Sequence, residues 1–186
     1  DGYDCLTGKS DANGIEYPLQ KQMWYEYMTS LKDAPVLNTE DHVIYRTAEY
    51  DVNNLDDVYV ARDMYVSAVH GKVESDIWLW DRKNDPASDF YGSLLYRPAH
   101  LAKISKAALD LMRNADEISA LQKEKRDVGI LHSEMDFINN DSNSPVWYQA
   151  YASAMFNGKR VQFITDYQLE KMNDVKVLVV PHAIYA

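Results

Sequence analysis

Cysteine is all but missing. Cys5 stands alone in 186 residues, which excludes an internal disulfide and any zinc site built from cysteines. Bases are the minority charge: 19 Lys and Arg against 29 Asp and Glu give a formal net charge of -10. They are also scattered. The short run Lys123-Glu124-Lys125-Arg126 is mixed in sign and reads as a solvated helix end. Nucleic acid, whose phosphates call for clustered Lys and Arg, is therefore not an expected partner. No apolar run is long enough to span a bilayer, so no membrane partner is expected either. No signal peptide is visible, and the chain opens without Met. We expect a piece of a longer polypeptide, with a cytoplasmic setting favoured over a secreted one. No glycine-rich, phosphate-cradling loop occurs, and no cofactor is expected.

Aromatic residues are plentiful, with 14 Tyr and 4 Trp. They suit a core, and they also suit a carbohydrate-binding cleft. After a Gly- and Asp-rich opening that reads as loop, Pro18 fits a first helical turn. Leu19, Met23, Trp24, Tyr27, Met28 and Leu31 recur at helical spacing, predicting a helix over 19–32. A strand is predicted at 35–40, then a polar connection over 41–54. Leu55, Val58, Arg62, Tyr65 and Val69 trace one side of a predicted helix that stops at Gly71. Ile77-Trp78-Leu79-Trp80 predicts a second strand over 76–80. Residues 81–96 read as a loop. Its acids lack the spacing of a calcium-binding loop, and no metal site is expected. Pro98 opens a long helix with a break near Asn114–Asp116, where Asp116 is a candidate N-cap.

The composition changes at 123–127. Asp127 to Ser133 reads as a buried strand, 134–143 as a loop, Ser144-Pro145 as a helix start, and Asn157-Gly158 as its end. Strands are predicted at 161–164 and 175–180, with a short helix between them. Helices alternating with strands imply parallel sheets.

Pro35-Val36-Leu37-Asn38-Thr39-Glu40 draws attention because a carboxylate closes a short strand. Side chains alternate along a strand, which would put Val36, Asn38 and Glu40 on one face. If Leu37 packs outward on helices, Asn38 and Glu40 point inward at the open end. In an eight-fold β/α barrel that end holds the active site. The plainer alternative is a strand-terminal Glu that is solvated or paired with an Arg.

These residues resemble a known family. Pro35 to His42, then Ala68-Val69-His70-Gly71 and Ile77-Trp78-Leu79-Trp80, resemble the seventh-strand region of β-galactosidase-like glycoside hydrolases, close to family 42. Arg97-Pro98, Leu109-Asp110-Leu111 and Glu117-Ile118 resemble the helix after the eighth strand. Val128 to Ser133, Tyr151, Asn157-Gly158, Gln168-Leu169 and Val177 to Pro181 resemble the start of the trimerisation domain of those enzymes. The resemblance implies the C-terminal portion of a (β/α)8 barrel over 1–124 and an incomplete flavodoxin-like α/β domain over 125–186. It implies a retaining mechanism with two carboxyl groups about 5–5.5 Å apart. Glu40 would be the nucleophile. Asn38 would orient it or bind sugar hydroxyls, His42 would contact substrate, and Trp78 and Trp80 would stack on a pyranose.

The family's acid/base Glu, expected after an Asn at the end of the fourth strand, has no counterpart here. The implied partners are a carbohydrate substrate, the remainder of the parent barrel, and two further copies in a homotrimer. A non-catalytic assembly module with a degenerate barrel remnant is the alternative. A small flavodoxin-like ligand binder is the third possibility, and the missing phosphate loop counts against it.

Overall fold

The computed structural model describes residues 16–42, 57–78, 80, 98–139, 143–181 and 184. The protein is mixed α/β, and its chain divides into two compact units. The first takes the described residues up to Gln22 and from Pro35 to Gln122; the second takes Met23–Ala34 and Lys123–Ala186. Helix α1 (Glu16–Leu31) contributes its start to the first and its end to the second.

In the first unit, strand β1 (Val36–His42) pairs in parallel with β2 (Lys72–Trp78). The crossover between them carries helix α2 (Asp57–Val69), as parallel pairing requires. Gly71, at φ 118, makes the turn from α2 into β2, a conformation that costs a residue with a Cβ. Helix α3 (Pro98–Arg113) packs on α2. Val60, Met64, Ile104 and Ala107 form the core between them, with Tyr65, Ile77 and Leu111 at its margin. Helix α4 (Ala115–Gln122) restarts after Asn114, whose carbonyl accepts the Ile118 amide at 2.9 Å. Asp116 is thus a first-turn acid rather than the cap expected from the sequence. A cavity of about 570 Å³ opens between β2 and the α3–α4 layer, lined by Val73, Ile77, Ile104, Leu111, Met112 and Ile118 among others.

Strand β2 begins at Lys72, well before the predicted start at 76. Its hydropathy is inverted at that end: Lys72 is buried, while Val73 is 57% exposed. No alternation rule finds such a strand, because the lysine is held inside by charge partners.

The second unit contains a parallel three-stranded sheet in the order β4-β3-β5, made of β3 (Val128–His132), β4 (Val161–Thr165) and β5 (Val177–Val179). The region predicted to be loop at 134–143 contains a short helix, α5 (Glu134–Asn139). Ser133 caps it, its Oγ accepting the Asp136 amide at 3.3 Å, and two acids occupy the first turn. Helix α6 (Asn143–Phe156) ends in a paired capping turn. The Lys159 amide donates to the Ala154 carbonyl, and the Gly158 amide to the Met155 carbonyl, with Gly158 at φ 66. A 3-10 helix spans Leu169–Asp174 before β5. Ile130, Phe163, Ile164, Trp147 and Tyr151 form the buried centre.

Candidate active site

The end of β1 is irregular. Asn38 pairs with Ser75 and Asp41 with Ile77, so β1 uses one residue more than β2 over the same stretch. That is a β-bulge. Val36, Asn38 and Asp41 are buried, while Leu37, Thr39 and Glu40 are exposed. The simple alternation that put Glu40 on one face with Asn38 therefore does not hold: the extra residue shifts the phase, and Asp41 takes the buried position. Leu37, whose packing on helices is the condition for an inward-pointing Asn38 and Glu40, is 39% exposed.

Asp41 sits at the centre of a buried charge cluster. Lys21 from α1 donates to its Oδ1 at 2.9 Å, Lys72 from β2 donates to Oδ2, and the Ser75 hydroxyl donates to Oδ2 at 2.7 Å. Lys21 also reaches Asp63 of α2 at 2.5 Å. All four charged groups are buried. Burial alone would raise the Asp41 pKa. The charges and hydrogen bonds of Lys21 and Lys72 outweigh it and hold the carboxyl well below the ordinary range. Burial draws the Lys72 ammonium below its ordinary value, and Asp41 offsets part of that draw. The buried side of β1 thus looks toward α1 and α2, and Glu40 emerges on the exposed side.

The bulge is fastened from within as well. Asn38 is 1% exposed, and its Oδ1 accepts the Glu40 amide at 3.1 Å. His42 and Trp78 are cross-strand partners at the last rung of the pair; their side chains lie outside the described residues. Trp80 is exposed just beyond β2. Glu40, His42, Trp78 and Trp80 therefore fall at the C-terminal ends of two parallel strands. The acidic loop at 81–96 lies outside the described residues.

Sequence reasoning missed Asp41, Lys21, Lys72 and Asp63. The sequence carries little signal for them: Asp41 falls just past the strand predicted at 35–40, and Lys72 falls before the one predicted at 76–80.

The second unit has its own buried polar feature. His132 lies among Tyr27, Phe137 and Trp147, and its Nε2 bonds the Tyr27 hydroxyl at 2.9 Å. Burial lowers the His132 pKa to about 4, against the pull of Asp166. Burial and the charge of Glu134 push Tyr27 up to about 12. A neutral imidazole packed between rings is a core residue here.

No family model matches the chain, and no curated protein matches it. One solved structure that does is the crystal structure of the apo exo-carrageenase GH42 from Bacteroides ovatus. It superposes with a TM-score of 0.76 at 22% identity, over 95% of this chain and 26% of that one. The chain has a GH42-like fold. It spans about a quarter of the length of that relative.

Proposed function

We propose that residues 1–124 form the closing part of a (β/α)8 barrel and 125–186 the opening part of a flavodoxin-like trimerisation domain, in a retaining, β-galactosidase-like glycoside hydrolase. The observation that carries this is the fold likeness over 95% of the chain to a structure named as a GH42 enzyme. Two features support it. Glu40 is exposed at the C-terminal end of a parallel strand, where barrel enzymes keep their reactive groups. The order β4-β3-β5, with the first strand of the sheet central, is how flavodoxin-like sheets begin.

In this reading the Glu40 carboxylate attacks the anomeric carbon, and the aglycone oxygen leaves with a proton from an acid supplied by the rest of the barrel. Water, deprotonated by that same group, then releases the sugar from Glu40. Asn38 orients Glu40 through its backbone amide. His42, Trp78 and Trp80 border the sugar site. Terminal β-galactosides lead the substrate classes, with other pyranosides, including α-L-arabinopyranosides, behind them. Carrageenan, named for the neighbour, is a further class to assay. The 186 residues alone, without the acid/base group, do not hydrolyse efficiently.

Glu40→Gln in the full-length polypeptide tests the assignment. Turnover of 4-nitrophenyl pyranosides falls by several orders of magnitude if Glu40 is the nucleophile; parental turnover removes it from the mechanism. A non-catalytic assembly module is the second reading, favoured by the exposed apolar Val177, Leu178 and Val180 at β5.

A further inference from the structure

We propose that Asp41, with Lys21 and Lys72, is a positioning cluster that locks the bulge of β1 and so fixes the direction of Glu40. This inference rests on the assignment of Glu40 as nucleophile and adds residues that act through it.

A regular strand would put Glu40 on the buried side, together with Asn38. The extra residue between Asn38 and Asp41 instead leaves Thr39 and Glu40 both exposed. A bulge has broken ladder bonds and would slip or straighten without other restraints; bulges near reactive sites serve to re-aim a side chain. Here restraints stand on both sides of Glu40. On one side, the Asn38 Oδ1 holds the Glu40 amide at 3.1 Å. On the other, the next residue is pinned by three donors from two elements: Lys21 of α1, and Lys72 and Ser75 of β2. Asp63 of α2 holds Lys21 in turn. Charge-assisted bonds at buried groups are strong and directional, and a half-satisfied cluster of this kind is costly. The cluster therefore has one stable arrangement, and the chain between Asn38 and Asp41 has little freedom within it.

The cost of a misdirected nucleophile is in the chemical step, not in sugar binding. A displacement of about 1 Å is worth on the order of a hundredfold in rate. The test compares Glu40→Gln, Asp41→Asn and Asn38→Ala in the full-length polypeptide, with kcat and KM measured separately on 4-nitrophenyl β-galactopyranoside. The expected result is a loss in kcat of about ten- to a hundredfold for Asp41→Asn and Asn38→Ala, with KM within about twofold. Asp41→Asn/Lys72→Gln replaces Asp41→Asn if the single variant does not fold, because it removes one positive charge together with the negative one. Asp41 and Asn38 variants that keep the parental kcat while Glu40→Gln loses it overturn the positioning role alone. A Glu40→Gln protein with parental kcat overturns the nucleophile assignment, and the positioning role with it. A fall in melting temperature with unchanged kcat marks Asp41 as purely structural and also overturns the proposal.

Discussion

Asp41 ties β1 to α1 and β2 through Lys21, Lys72 and Ser75. Asp41→Ala removes the carboxylate shared by the buried Lys21 and Lys72, leaving more positive than negative charge among the groups of the cluster. We expect a loss of about 3–5 kcal/mol, read from urea unfolding at neutral pH. The pH dependence comes from the same contact. The folded pKa of Asp41 lies below its unfolded value of about 3.9. Its stabilisation is complete above that pH and is lost as the pH falls below it toward the lowered folded value. His132 acts in a higher window. Its folded value of about 4 lies below the unfolded value of about 6.5, so the unfolded chain binds more protons between the two. Stability rises with pH through that interval and is lost on acidification across it. A proton NMR titration of the His132 ring checks the midpoint, and one near 6.5 refutes it. Glu40 stands out in the sequence because a strand-terminal carboxylate is visible in the letters themselves. Asp41, one residue on, is hidden there, because a bulge is a property of two strands in register and appears in neither alone.

At the scale of elements, caps and glycines mark most boundaries. Pro18, Gly71, Pro98 and Gly158 each lie at or near a real helix end, and these ends are legible in the sequence. The failures share a cause. Lys72 disguises the start of β2, because its burial follows ion pairing rather than hydropathy. Helix α5 reads as loop because six residues carry too little periodicity, although Ser133 and the acids after it are a capping signal. Ser133→Ala is expected to cost about 1 kcal/mol, measured by thermal unfolding. Gly129, in the middle of β3, has a steric reason. A Cβ there would lie 2.9 Å from Ile164 Cδ1 and 3.1 Å from Val175 Cγ2. Gly129→Ala is therefore expected to destabilise by about 1–3 kcal/mol through overpacking, measured by urea unfolding; a variant as stable as the parent would show that the neighbours give way freely.

For the whole molecule, the sequence disclosed the class, since alternating helices and strands give parallel pairing. It did not disclose register. Among the described residues β2 pairs only with β1, and the cavity beside it is lined mostly by apolar side chains, with Met112 74% exposed. Surfaces of this kind bind other chains or aggregate. We expect residues 1–186 made alone to enhance the fluorescence of an apolar dye, and the longer polypeptide proposed above to abolish the effect. An equal signal from both would show that nothing else in the polypeptide covers this face. Sedimentation of the proposed longer polypeptide checks the proposed trimer, and a monomer at all concentrations rejects it.

The sheet order β4-β3-β5 has a consequence for synthesis. The central strand leaves the ribosome before either of its neighbours exists. Val128 to His132 must stay unpaired on both edges until α5, α6 and then β4 have been translated, and one edge stays bare until Val177 arrives. That interval is when a nascent-chain chaperone has its clearest claim on this protein.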